Sequence, residues 1–260
     1  MQSLKVTTIQ SNLVWENIDA NLEQFSYKIA PLKGKTDIVI LPEMFTTGFT
    51  NSSESLAEPP QGKTFQWLYQ QALAIDAVVT GSYIVQEDGK YYNRLIWMQP
   101  NGQYSLYNKH YLFTKAKEHE YYERGQERVV IDWKDWKICP LICYDLRFPV
   151  WARNNVDYDL LIYIASWPTT RSHHWKSLLM GRAIENQCFT IGVNRVGLDG
   201  NEFYYSGDTS VIDYSGGIIY QTAHAEDTFT ALLNYEAQKV YREKLRFLPD
   251  QDGYIKTANS

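Results

Sequence analysis

Apolar and polar positions are distributed in short blocks whose period changes repeatedly along the chain. Leu4 to Gln10 alternates like a strand, and Asn17 to Ile29 carries Ile18, Leu22, Phe25 and Ile29 at helical spacing, ending near Pro31. Asp37 to Leu41, DIVIL, is a continuous apolar run of the kind found in strands covered on both faces, with Pro42 and Glu43 at its carboxyl end. Residues Met44 to Pro60 have no period, and a helix resumes over Gln61 to Ile75. Ala77 to Val85 and Tyr91 to Met98 flank an Asp88-Gly89 turn, and Pro100 to Gly102 leads into Gln103 to Asn108. Antiparallel hairpins therefore interrupt the β then α order, which excludes a purely parallel sheet.

A polar, charge-mixed loop from His110 to Arg128 precedes a strand at Val129 to Trp133. Trp136 to Ile142 reads as a buried strand that breaks abruptly at Cys143, and Pro149 is suited to the first turn of a helix but not to its interior. The strand-to-helix corner carries a thiol. Asp159 to Ala165 is a further buried strand, followed by a helix from Ser172 to about Gln187. Phe189 to Val193, Asp208 to Asp213, Ile218 to Tyr220 and Thr228 to Leu233 complete the strands, and Ala237 to Leu245 is a last short helix. The tail after it, with Pro249 and Gly253, is expected to be mobile or to reach a partner subunit.

A chain of 260 residues, 44% apolar, is long enough for one large α/β domain over 1–260, and neither a repeat nor a linker divides it. The net charge of -5, without a basic patch, disfavours nucleic acid and anionic membranes as partners. Neither a signal-like apolar stretch nor an 18-residue apolar run occurs, and the three cysteines are too few for a disulfide framework. A cytoplasmic location is the expectation.

Glu43, Lys109 and Cys143 all stand at, or just beyond, strand ends. In open α/β sheets ligands gather beyond the carboxyl ends of strands, where a nucleophile on a sharp turn is presented. Taken singly, each has a plain structural explanation: surface charge for the first two, core packing for the third. Rival chemistries are a Cys-His hydrolase, for which none of the five histidines sits in a partner motif, and a metal or redox module using Cys139 and Cys143. Four residues along a strand separate those sulfurs by about 13 Å, too far for one metal or a disulfide. A non-catalytic assembly protein is a further alternative.

Together the segments LPEMFTTGF, NKHYLF and LICYDLRFP, continued by ASWPTTRSHHWKSLLMGRAIENQCFTIGVNRVG, resemble the signature regions of the nitrilase superfamily of carbon-nitrogen hydrolases over nearly the whole chain. The resemblance implies a four-layer αββα sandwich of two mixed sheets and a homodimer. It implies Cys143 as nucleophile, Glu43 as general base and Lys109 as stabiliser of the tetrahedral intermediate, with the N–H of Tyr144 completing an oxyanion hole. A second glutamate follows the lysine in the family; in KAKEHEYYERG, Glu118 fits its spacing better than Glu120. Such chemistry needs no metal or organic cofactor. EMFTTGF, SWPTTRSHHW and RAIENQ are most similar to the omega-amidases, which implies a small 2-oxo acid amide (2-oxoglutaramate or 2-oxosuccinamate) as substrate; an N-carbamoyl amino acid or amine is the alternative. Such an acid needs a cationic clamp, for which Arg147 and Arg171 are candidates, and Trp167, Tyr144, Phe113 and Met44 are candidate pocket walls.

Overall fold

The computed structural model describes residues 3–251. Of the tail after Leu245, Leu248–Asp250 form a single 3-10 turn with Leu248 buried, and Gln251 Nε2 donates to the Asn154 carbonyl at 3.0 Å, so this part is packed down; residues 252–260 lie outside the described residues. Thirteen strands form two mixed sheets. The first has the order β13-β1-β2-β3-β4-β5, built from Asp227–Leu233, Leu4–Gln10, Ile38–Ile40, Val78–Glu87, Lys90–Met98 and Tyr104–Asn108. The second has the order β10-β11-β9-β8-β7-β6, built from Val196–Leu198, Tyr204–Ile212, Phe189–Asn194, Leu160–Ala165, Trp136–Ile142 and Ile131–Trp133, with β12 (Ile218–Ala223) paired to β11. β1, β2 and β3 run parallel, as do β7, β8 and β9, while the remaining pairs are antiparallel.

The period-2 alternation of each buried strand explains the layering. In β2, Ile38 and Ile40 share an apolar cluster with residues of the second sheet such as Ile138 and Ile162, whereas Val39 and, just past the strand, Leu41 share another with Phe25, Phe65 and Leu68 of the helices Ile18–Ile29 and Lys63–Ile75. On the far side, Trp175 and Leu179 of the helix Ser172–Asn186 close over the second sheet. The result is the expected four-layer αββα sandwich. Asn17 caps the first helix by accepting from the Ala20 N–H at 3.0 Å.

Several elements depart from the pattern-based reading, among them the one-turn helices Ser53–Leu56 and Glu118–Tyr121 in stretches read as loop. β10 does not follow from the pattern, being three residues long and held by its antiparallel partner β11 and by a parallel bridge between Val196 and Asn12. β11 itself starts at Tyr204 rather than Asp208, because Tyr204 to Ser206 pair with β10 before the ladder to β12 begins at Gly207, across an irregularity between Gly207 and Thr209. Among the described residues, no helix is long and apolar enough to cross a membrane, and Cys139, Cys143 and Cys188 are all buried free cysteines.

Candidate active site

β5 pairs antiparallel with β4, and β4 with β3, so β5 points the same way as the parallel β1 to β3. The carboxyl ends of β2 and β5 thus reach one rim of the first sheet, and those of β7 and β8 meet them from the second. Glu43 follows β2, Lys109 follows β5, Cys143 follows β7 and Ser166 follows β8. Cys143 has φ +46° and Met44, next to Glu43, φ +45°. Such left-handed backbone is unusual outside glycine and marks turns held by their surroundings.

The four segments converge on a fully buried charge cluster. The Lys109 ammonium donates to Glu43 Oε1 at 2.8 Å and to both Glu118 oxygens at 2.8 and 2.9 Å. Glu43 Oε1 also accepts from Asn93 Nδ2 at 2.9 Å, and Oε2 from the Ser166 N–H at 2.8 Å. Glu118 is fixed by a single turn of helix, Glu118–Tyr121, and accepts from the Phe113 N–H at 2.5 Å. Its loop is pinned where the Gly125 N–H donates to the Lys109 carbonyl at 2.8 Å, and a Cβ on Gly125 would stand 2.1 Å from the Asn108 carbonyl oxygen. Glu120 is exposed and pairs with Lys117, at 3.7 Å.

Two carboxylates around one ammonium leave a net negative charge in a dry site. Burial pulls the Lys109 pKa down, but Glu118 and Glu43 more than reverse this and hold it well above its usual range. Glu118 is pushed up by its burial and by the Glu43 charge, against the pull of Lys109. The Cys143 thiol, 8% exposed, is raised well above its ordinary value by burial first and the Glu43 charge second; Lys109 pulls the other way. The Glu43 carboxylate thus acts on the thiol directly, in the direction that keeps its proton in place. Cys143 is therefore a neutral thiol at rest beside a carboxylate, an arrangement in which proton transfer accompanies attack.

A cavity of about 560 Å³ opens over this cluster. Lys109 and Cys143 lie on its wall, and so do Tyr144, Phe113, Trp167, Arg147 and Arg171. Glu43 and Glu118 stand behind that wall. Met44 is a correction: it is fully buried and packs with Ile84 and Tyr122, away from the cavity, because the chain turns sharply at its own left-handed φ. The Arg147 guanidinium lies 4.7 Å from the centre of the Trp167 ring and donates to His174 Nδ1 at 3.2 Å; that of Arg171 lies 5.3 Å from the centre of Phe113. Among the described residues neither forms an ion pair with a carboxylate. Burial and the neighbouring Arg171 charge both push the Arg147 pKa down.

Sequence reasoning missed Asn93, Ser166, Phe49 and the stretch from Asp199 to Tyr205, which closes the cavity on the side of β10 and β11. Asn93 did leave a signal, as a polar position on the same strand face as Leu95 and Trp97.

A fold of two face-to-face mixed sheets, with a thiol, two carboxylates and an ammonium gathered at one rim, matches a known family. The family model described as carbon-nitrogen hydrolase matches residues 5–242. The chain belongs to the carbon-nitrogen hydrolase family, and is a hydrolase of carbon-nitrogen bonds. It is 43% identical over 257 residues to the omega-amidase YafV of Escherichia coli strain K12, covering 98% of this chain and 99% of that one. It is 30% identical over 251 residues to the 2-oxoglutaramate amidase of Bacillus subtilis strain 168, covering 94% and 96%. The solved structure of XC1258 from Xanthomonas campestris, a CN-hydrolase superfamily protein with an arsenic adduct in its active site, superposes with a TM-score of 0.96 at 38% identity over 98% of this chain and 99% of that one.

Proposed function

We propose that the enzyme hydrolyses the terminal amide of small 2-oxo acid amides, 2-oxoglutaramate and 2-oxosuccinamate, to the carboxylate and ammonia. One observation carries the reading: the cavity lined by Cys143 and Lys109 also holds two guanidinium groups with no carboxylate partner among the described residues. A substrate with an amide at one end and a carboxylate at the other satisfies both, since guanidinium recognises carboxylate bidentately. The omega-amidase of E. coli and the 2-oxoglutaramate amidase of B. subtilis support the same substrate class.

In this reading the Cys143 sulfur attacks the amide carbon as Glu43 takes the thiol proton. The negative charge passes from the carboxylate to the tetrahedral oxygen, so the total charge of the cluster does not change. Lys109 and the Tyr144 N–H hold that oxygen. Glu43 then hands the proton to the amide nitrogen, the C–N bond breaks, and ammonia leaves a thioester on Cys143. Water, deprotonated by Glu43, attacks the thioester carbon; the C–S bond breaks and the thiol regains its proton. Glu118 keeps Lys109 charged and aimed throughout. Each step uses only groups of this chain.

Three buried free cysteines suit a reducing cytoplasm, and a homodimer is the assembly the family resemblance implies. The test is ammonia release from 2-oxoglutaramate, 2-oxosuccinamate, N-carbamoyl-β-alanine and simple nitriles, with Cys143→Ala as control. Turnover of the first two, abolished in the variant, is expected. Inert 2-oxo acid amides beside a reactive N-carbamoyl substrate would overturn the substrate class and leave the chemistry intact.

A further inference from the structure

Asp145 lies two residues after Cys143, is fully buried, and forms no ion pair among the described residues. Burying an unpaired carboxylate is costly, so such a group is retained only where its hydrogen bonds accomplish something. Its three donors come from segments that bracket the reactive groups. Oδ1 accepts from the Tyr111 N–H at 2.8 Å, and Oδ2 from the Tyr107 hydroxyl at 2.7 Å and the Ile142 N–H at 3.0 Å. Tyr107 and Tyr111 stand two residues before and two after Lys109; Ile142 immediately precedes Cys143. Tyr107 is itself held by Trp151, whose indole N–H donates to its hydroxyl at 3.0 Å.

We propose that Asp145 is a positioning residue: its carboxylate ties the strand end presenting Lys109 to the strand end presenting Cys143, and so sets the separation of ammonium and sulfur across the two sheets. The proposal rests on the roles given above to Lys109 and Cys143. β5 and β7 belong to different sheets and share no backbone ladder, so the spacing of their ends is not fixed by strand pairing. A carboxylate is the one side chain of this size that accepts on both oxygens. An Asn there must turn its NH2 toward either the Tyr111 or the Ile142 N–H, leaving one backbone donor without an acceptor and loosening one of the two segments. Misplacement by a fraction of an ångström to an ångström at the reacting atoms is enough to slow chemistry severely.

The test compares wild type, Asp145→Asn and Tyr107→Phe in kcat and KM for 2-oxoglutaramate, in the rate of Cys143 alkylation by iodoacetamide followed by mass spectrometry, and in thermal unfolding. The expected result for Asp145→Asn is a kcat about 10- to 100-fold lower, with KM within twofold and alkylation slowed. Tyr107→Phe, which removes one donor and keeps the ring, is expected to lower kcat by a smaller factor. Wild-type kcat and alkylation in a folded Asp145→Asn protein, with only its melting temperature reduced, would overturn the proposal. If that variant does not fold, Tyr107→Phe decides: a reduced kcat at unchanged KM supports the tie, and wild-type kcat refutes it. Should wild type release no ammonia from any amide, the functional reading fails, whereas the alkylation rates of the same variants still judge Asp145.

Discussion

Replacing Glu118 by Gln removes one of the two negative charges around Lys109 while conserving volume. The ammonium now divides three short hydrogen bonds between Glu43, at 2.8 Å, and Glu118, at 2.8 and 2.9 Å, all in a fully buried site. A Gln keeps one acceptor, but since both Glu118 oxygens accept from Lys109 its NH2 must oppose the ammonium in either orientation, and in one of them the Phe113 N–H as well. Removing one partner of a buried ion pair costs about 3–5 kcal/mol. Lys109 retains Glu43, so the lower end, about 3 kcal/mol, applies. At 1.4 kcal/mol per decade this is roughly a 10²-fold loss. The loss should fall on kcat, because a Lys109 attached only to Glu43 stabilises that carboxylate and weakens it as a base. Ammonia release assayed over a range of 2-oxoglutaramate concentrations separates kcat from KM. Glu120→Gln, at an exposed position three residues from Lys117, should behave as wild type. A Glu118→Gln enzyme with kcat within threefold of wild type would refute the assignment of Glu118 to this cluster's function.

Other expectations follow from the same geometry. Arg147→Met and Arg171→Met should each lower kcat/KM for 2-oxoglutaramate by about 10- to 100-fold, since a hydrogen bond to a charged group contributes about 1.5–3 kcal/mol; turnover of an uncharged amide should change little, and equal losses on both substrates would count against the clamp. Cys139 and Cys188, pushed up to about 12 by burial, should resist iodoacetamide in the native protein while Cys143 is modified, and Glu43→Gln should slow that modification; peptide mapping reads all three sites. Asp145 is pushed up to about 6 from 3.8, chiefly by burial, so the folded state holds its proton more tightly than the unfolded chain does. The stabilisation is therefore present below about pH 4 and is lost as pH rises through 6, by roughly 3 kcal/mol for a displacement of about two pH units. In urea unfolding, wild type should lose that much more stability than Asp145→Asn between pH 4 and pH 7, and a difference independent of pH would contradict it.

What the sequence reveals of this protein tracks how local the determining interactions are. The strand Trp136–Ile142 and the break at Cys143 are legible because seven mostly apolar residues meet a polar turn, and DIVIL announces β2 because both its faces are covered. β10, at three residues, exists through pairing with β11 and a bridge to Asn12, and the turn at Ser53–Leu56 is too short to show a helical period. The site divides in the same way. Glu43, Lys109, Glu118 and Cys143 lie in segments whose motifs resemble a family, so they could be named before the fold was seen. Met44 could not be placed, since the direction of its side chain depends on a left-handed backbone that the letters MFTTG do not disclose. Phe203 and Tyr205 reach the cavity through a β-hairpin at the opposite end of the chain, and only the packing of the sheets brings them there.

The covalent intermediate gives the most direct test of the chemistry. Enzyme mixed with 2-oxoglutaramate, quenched in acid within a turnover and analysed by intact mass and peptide mapping, should carry an adduct equal to substrate minus ammonia on the peptide containing Cys143, absent from Cys143→Ala. Steady ammonia release by Cys143→Ala, or an adduct mapped to Cys139 or Cys188 instead, would contradict it.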